Sequence, residues 1–420
     1  MRNKIIFLIG ILVSSFPIYS FASSDAWDKF REEYNFQGFI QTTYSQNIES
    51  SEKKVILGET RLQTEIRKWF TDTSSLFLKS DFALDLVESV QFVDIREAYL
   101  EFLPGAWDIK IGKQIITWGV GDRIFLNDVF PKDWVSFLGG RPLQYLKIGN
   151  NAIVADYSGE FGSLELITIP YFQWDNFPLG DRFQGYKPLD IPVEFSKKSA
   201  SATKNWEYGI RWNKEILSSD FSLYLFRGFY KTPGTQISFS LHPGKLTYIF
   251  PPLQVYGMSL QRNMFGGVIS AEYAYYDSLR DRKGDNPFII NSSWKGLVGY
   301  NRELAQDLRI GIQYYQEETQ EYSNYEDSLP PGSPHLNKVN RMFSVNLDKE
   351  FLSQTLKLSI FGIYNPEYKE SLLQPSIKYE FTDNFWVQIG ANLFNKGTSY
   401  SYFGQFTDYK NVYLTARWRF

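Results

Sequence analysis

From about residue 35 to Phe420 the chain alternates apolar and polar positions with a period of two, in short segments separated by polar breaks. In Arg61–Arg67, Leu62, Thr64 and Ile66 share one face and Arg61, Gln63, Glu65 and Arg67 the other. After a break at 71–74, Leu76, Leu78, Ser80, Phe82 and Leu84 alternate with Phe77, Lys79, Asp81, Ala83 and Asp85. The rhythm returns in Trp206, Tyr208, Ile210 and Trp212, in Leu308, Ile310, Ile312 and Tyr314, in Phe343, Val345 and Leu347, in Leu356, Leu358 and Ile360, and in Val387, Ile389, Ala391 and Leu393. It closes with Val412, Leu414, Ala416, Trp418 and Phe420. Each segment predicts a strand with one greasy and one wet face. A single helix is expected, over residues 23–34. Ser24 or Asp25 caps it, and Trp27, Phe30 and Tyr34 fall on one face. So short a helix needs a surface to dock on. A plug in a barrel mouth and a periplasmic leader are both open readings.

The connections decide what the strands build. Short turns are expected at 71–74, 104–106, 158–162, 217–220, 262–265, 303–307, 349–353 and 382–384. They alternate with longer, polar connections at 46–56, 119–145, 173–204, 232–250, 279–290, 318–336 and 395–408, with 88–91 and 365–370 as short exceptions. A soluble sandwich has no reason to keep this asymmetry. A bacterial outer-membrane barrel does, with short periplasmic turns and long outer loops. The expected fold is therefore all-β: a transmembrane, antiparallel, up-and-down β-barrel over 35–420. The count favours 18 strands, with 16 as the alternative if one loop has been split. An even count returns both termini to the periplasm, and the last strand is expected to pair with Gly38–Tyr44 so that no edge remains. Trp69, Phe70, Trp107, Trp206, Trp212, Phe385, Trp386 and Trp418, near strand ends, are candidates for interfacial girdles.

Composition strengthens this picture. Aromatics make up 18% of the chain, with 28 Tyr and 35 Phe, so outward faces can be rich in rings. Arg2 and Lys4 precede an uncharged run from Ile5 to Ala22, which reads as a signal peptide (1–22) cut after Ala22. No later apolar run is long enough for a spanning helix. With no Cys, neither disulfides nor thiol chemistry is available. A net charge of −3 argues against a nucleic-acid partner.

Two stretches bear a resemblance to known proteins. The terminal strand, ending on an aromatic, resembles the C-terminal signal by which outer-membrane barrels are recognised for insertion. That implies Trp418 and Phe420 as the assembly signal, with outer-membrane lipid and the barrel-assembly machinery as partners. The second stretch is Arg96-Glu97-Ala98-Tyr99-Leu100, followed by Gly112-Lys113-Gln114, Trp118-Gly119 and a loop carrying Asp128 and Pro131-Lys132-Asp133. It resembles a largely uncharacterised group of porin-like outer-membrane barrels, to which alginate-export barrels are looser relatives. The close match covers about 40 residues. It implies a Gram-negative outer-membrane location and a channel class, but no solute.

Alternation places Arg61, Glu65, Arg67, Lys79, Asp81, Asp85, Glu97, Tyr99, Glu101, Gln114, Trp118, Glu207, Arg211 and Arg309 on the lumen face. Both signs occur, which suggests cross-strand ion pairs rather than single-sign selectivity rings. The loop 119–145 holds Asp122, Arg123, Asp128, Lys132 and Asp133 together with Phe125, Phe130, Trp134 and Phe137. So many rings do not suit a solvated tip, and the loop is expected to fold inward and narrow the channel. A catalytic role is not expected. His242 and His335 are the only histidines, both in loops, and neither zinc nor phosphate-loop spacing occurs. No cofactor or metal is anticipated. The expected function is passive passage of small or elongated polar solutes. The alternatives are a non-conducting barrel that serves as scaffold or export partner of a periplasmic complex, and a carrier of hydrophobic molecules. A homotrimer is one expected assembly.

Overall fold

A computed structural model describes residues 25–49, 54–178, 180, 182–186, 193–196, 198, 202–238, 245–395 and 397–420. The expected signal peptide, Ser24 and His242 lie outside the described residues. One helix, α1 (Asp25–Tyr34), leads into the sheet.

Eighteen antiparallel strands form one closed sheet. The first five are β1 (Gln37–Asn47), β2 (Val55–Thr71), β3 (Ser74–Asp85), β4 (Val90–Phe102) and β5 (Trp107–Gln114). After a long loop come β6 (Asn150–Gly159) and β7 (Gly162–Ile169). The next connection includes a short strand, β8 (Val193–Phe195), and is followed by β9 (Glu207–Ile216) and β10 (Ser219–Phe229). Then β11 (Gly234–Ser238) and β12 (Lys245–Ile249) join β8 in a separate three-stranded sheet among the loops. The barrel resumes with β13 (Pro252–Met264), β14 (Gly267–Ser278), β15 (Ser293–Ala305), β16 (Leu308–Thr319), β17 (Val339–Phe351), β18 (Leu356–Asn365), β19 (Glu370–Thr382), β20 (Phe385–Asn395) and β21 (Asn411–Arg419). β21 closes on β1, from Phe39↔Arg419 to Asn47↔Asn411. Closure satisfies every strand edge, which a sheet in lipid requires.

The outer face is apolar. Val93 is 61% exposed, and Phe82, Leu84, Ile153, Val298, Phe343, Ile389 and Leu414 are similarly open around the barrel. No helix among the described residues is long and apolar enough to cross a membrane. Such an apolar belt on a closed sheet suits hydrocarbon, not water. This is the architecture of an outer-membrane β-barrel.

The short turns are tight. Leu217 and Ser218 both adopt positive φ, as do Phe265 and Gly266, the geometry of hairpin turns that match strand twist. Phe161, Leu217, Phe265 and Leu352 sit exposed at this end, where an interfacial belt would lie. Trp386 does not join that belt as expected. It is buried, with the Lys378 ammonium and Arg417 guanidinium over its ring.

At the same end α1 stacks Phe30 and Trp27 near Phe36, which stacks on Phe420. Glu33 pairs with Lys68, whose ammonium lies over Tyr34. Lys68 and Phe420 share the parity of the outward residues Leu62 and Leu414, so the helix leans on the outside of the strand ends.

Candidate functional site: an inward loop against a charged wall

The site begins where β5 stops. The strand reading that carried Gln114 on to Trp118 is cut short. β5 ends at Gln114, and residues 115–149 leave the sheet as a loop containing α2 (Trp134–Gly139). Glu97 marks the departure by accepting a hydrogen bond from the Ile115 amide at 3.1 Å.

The loop is fastened to inward residues around the barrel. On β14 the Glu272 carboxylate accepts from the backbone amides of Val120 (2.5 Å), Gly121 (2.7 Å) and Asn127 (3.0 Å), and from Asn127 Nδ2 (2.7 Å). Gly119 makes this approach feasible. Its φ is +79°, and a Cβ there would lie 2.9 Å from a Glu272 oxygen. On β7, Glu165 accepts from Trp118 Nε1. On β2, Glu59 accepts from Arg141 Nη2 at 2.7 Å. On β21, Asn411 Nδ2 donates to the Leu138 carbonyl at 3.1 Å. On β18 the ring of Phe361 lies under the Arg123 guanidinium, 4.1 Å from centroid to Cζ.

Apolar packing completes the anchorage. Trp118 packs edge-on to Phe130 and against Tyr224, and Phe130 packs edge-on to Phe226. Leu126 and Val129 are buried in the same cluster, with Val255 and Leu297 from the wall. Tyr224 and Phe226 thus face the loop, not lipid. α2 is capped by Asp133, whose side chain accepts from the Ser136 amide at 2.8 Å.

Buried charges within the loop are partnered. Lys132 Nζ donates to Asp128 at 2.9 Å. Burial pulls its pKa down, against the pull of Asp128. Asp175, from the β7–β9 connection, accepts from the Lys132 amide (2.8 Å) and Trp134 Nε1 (2.9 Å). Burial nevertheless raises its carboxyl above the usual range. Asp122 is raised and Arg123 lowered by burial, each partly offset by the other. Burial pushes the Tyr145 hydroxyl up to about 12.

β2–β5, which the loop meets at Glu59, Arg61 and Arg96, carry a wall of both signs. Arg61 bridges Asp81 (2.5 Å) and Glu59 (2.9 Å). Lys79 bridges Glu65 (2.8 Å) and Glu97 (3.6 Å). Arg67 bridges Glu101 (2.5 Å) and donates to the Tyr99 hydroxyl at 3.2 Å. Further round, Arg211 meets Glu165 at 3.2 Å and Glu207 meets Lys231 at 2.6 Å. Asp85 is taken by Arg182, which also holds Glu88 at 3.0 Å. Gln114 donates to the Ala152 carbonyl at 3.3 Å, and Arg309 lies exposed near the short β15–β16 turn. Among the described residues no cluster of potential ligands fits a metal ion.

Several residues here escape sequence reasoning. Arg96 should face lipid by strict alternation, like Ala98. A bulge between the pairs Lys79↔Glu97 and Ser80↔Ile95 turns it inward beside Glu97. Its Nη2 donates to the Gln144 (2.8 Å) and Lys147 (3.1 Å) carbonyls. Glu272 sits on a wet face that alternation could have marked, but nothing local reveals a partner some 150 residues upstream. Glu59, Glu165 and Arg141 were missed for the same reason.

No protein-family model matches this chain, and no curated protein does. Solved structures do. OccK2 (OpdF) of Pseudomonas aeruginosa, in complex with glucuronate, is similar over 91% of this chain and 97% of its own, with a TM-score of 0.56 and 10% identity. OccK10 (OpdN) of the same organism is similar over 92% of this chain and 99% of its own, with a TM-score of 0.52 and 9% identity. OccK11 (OpdR) is similar over 91% and 95%, with a TM-score of 0.51 and 9% identity. At such identities the likeness is one of fold: a closed antiparallel β-barrel that spans nearly all of each chain.

Proposed function

We propose that this chain is a narrow outer-membrane pore that passes small or elongated polar solutes passively, between the loop 115–149 and the charged wall of β2–β5. The observation that carries this reading is the fastening of the loop to inward residues of β2, β7, β14, β18 and β21. A loop so held takes up cross-section that an empty barrel would leave open. Along the remaining wall, ion pairs of both signs offer a solute donors and acceptors in place of its hydration shell. The glucuronate bound by OccK2 (OpdF) is a solute of this kind, and the shared fold supports the same solute class here. In this reading the constriction involves Asp122, Arg123, Asp128, Lys132 and Asp133 by holding the loop's shape more than by touching solute, since Asp128 and Lys132 are buried. Trp418 and Phe420 serve recognition by the assembly machinery, and the outward belt meets lipid or, in a trimer, sister barrels.

A second reading rests on the apolar cluster inside the barrel, where Trp118, Phe130 and Phe226 are buried. A barrel filled in this way suits a non-conducting scaffold or an export partner, the role suggested by the looser resemblance to alginate-export barrels. Single-channel recording in planar bilayers separates the two. Small, steady ohmic steps are expected of the pore; a folded but silent barrel would sink it.

A further inference from the structure

At the short-turn, periplasmic end the outward face of the barrel carries a row of cations. Lys214 on β9, Arg262 on β13, Arg302 on β15 and Lys349 on β17 each lie two or three residues before the end of their strand. Register sets them opposite Phe221, Ile269, Ile310 and Leu308. They share the parity of Ile210, Leu260, Val298 and Val345, which are exposed on the apolar belt. Lys214 Nζ donates to the Glu160 carbonyl at 3.3 Å and Lys349 Nζ to the Gln306 carbonyl at 2.8 Å, so both ammonium groups reach the level of neighbouring turns. Rings stand beside them: Phe161 lies 5.9 Å from the Lys214 ammonium, and Phe351 lies 5.3 Å from that of Lys349.

The row has one sign. Acids at this end fall on the inward parity, as Glu215, Glu303 and Glu350 do, or in the turns, as Glu160 and Asp307 do. Among the described residues none of the four cations has a carboxylate within ion-pair distance. Neighbours in the row stand two strands apart, about 10 Å. The chain itself shows what such a position takes. Lys68, the outward cation at the same end of β2, is met by Glu33 of α1, which leans on the outside of the barrel. Along β9–β17 the row borders the exposed belt on one side and the exposed turn residues Leu217 and Phe265 on the other. A ligand there must bring hydrocarbon beside its negative charge. A soluble anion brings none, and an acidic protein segment would leave the adjoining belt uncovered.

We propose that this arc, from β9 to β17, is a binding site for anionic phospholipids of the periplasmic leaflet. Each cation takes a phosphate, the acyl chains run along the belt, and the apolar turn residues seat among the headgroups. At β2 the carboxylate of α1 stands in for the lipid. The site goes beyond the pore reading and does not depend on conduction.

The test is native mass spectrometry of the detergent-folded full-length barrel with equal amounts of phosphatidylglycerol and phosphatidylcholine. Phosphatidylglycerol is expected to be retained preferentially, and excess inorganic phosphate to leave it in place. Arg262→Gln and Arg302→Gln should each weaken that retention about fivefold, the worth of one cation at an anionic lipid surface. Arg302→Lys, which keeps the charge, should restore it. Lys357→Gln, which removes an inward cation paired with Asp348 at the same end, should change nothing. Folding of each variant is checked by heat-modifiable migration on gels. Equal retention of the two lipids by the wild type would leave the row to a periplasmic protein and overturn the proposal. Displacement by inorganic phosphate, or wild-type selection in a folded barrel carrying both Arg262→Gln and Arg302→Gln, would overturn it as well.

Discussion

Glu272 shows how much one inward carboxylate can organise. Four donors of the loop converge on it. Hydrogen bonds to a charged acceptor are worth more than neutral ones, and donors left buried without it cost about 1–3 kcal/mol each. Glu272→Ala should leave the barrel folded, because no ladder bond uses the side chain, while releasing the loop. Planar-bilayer recordings should then show higher conductance and noisier open states; wild-type traces would refute the latch. Gly119→Ala should act alike, since its Cβ would press on the same carboxylate at a positive φ. Trp118→Ala should loosen the loop from its apolar side, at about 3–5 kcal/mol of lost packing. Limited proteolysis of the folded barrel should reveal this as new cleavage within 115–149.

At the scale of elements, the β5–β6 loop and the closing strand do different work. Deleting 119–145 removes most of the inward bridge but no strand. The shortened protein should insert, stay heat-modifiable, and conduct several-fold more current than wild type if the loop narrows the pore. Equal conductance would place the constriction elsewhere. Deleting Phe420 should do the reverse. It removes both hydrogen bonds that Phe420 exchanges with Gly38 and the ring against Phe36. Outer-membrane levels should fall while single-channel steps of inserted molecules stay unchanged; normal insertion would count against the terminal strand as an assembly signal. The position of α1 links the two ends of the chain. Its rings reach Phe36, which stacks on Phe420, and Glu33 reaches Lys68 of β2, so the helix packs beside the first strands.

For the whole molecule, a closed sheet makes folding all or none, because the pairing of β1 with β21 is possible only when every hairpin between them is in register. Wall ion pairs follow from the same closure. Buried pairs such as Arg61 with Asp81 and Glu59 contribute little net stability over apolar packing, but removing one partner strands the other. They set register and keep the wall wet. The outward belt does the opposite work, with apolar side chains suited to hydrocarbon.

Strand rhythm and loop asymmetry by themselves determined the barrel, the closing pair, and the wet and greasy faces, and favoured 18 strands over 16, which the closed sheet decides. These depend on period two and connection length, which neighbouring residues encode. Aromatic content also pointed to a loop that folds inward, though the expected 119–145 is shorter at both ends than the observed 115–149. Only the tertiary structure decided what the loop touches. The partners of Val120, Gly121, Asn127 and Arg141 lie on strands far away in the chain, and the inward turn of Arg96 depends on a bulge that alternation cannot announce. The fate of Trp118 shows the division. Extended as a strand, it lines a lumen; folded, it is 2% exposed in an apolar cluster, because the wall it meets carries Tyr224 and Phe226 facing inward. Local pattern says which way a side chain points from its own strand, and closure of the barrel says what stands opposite.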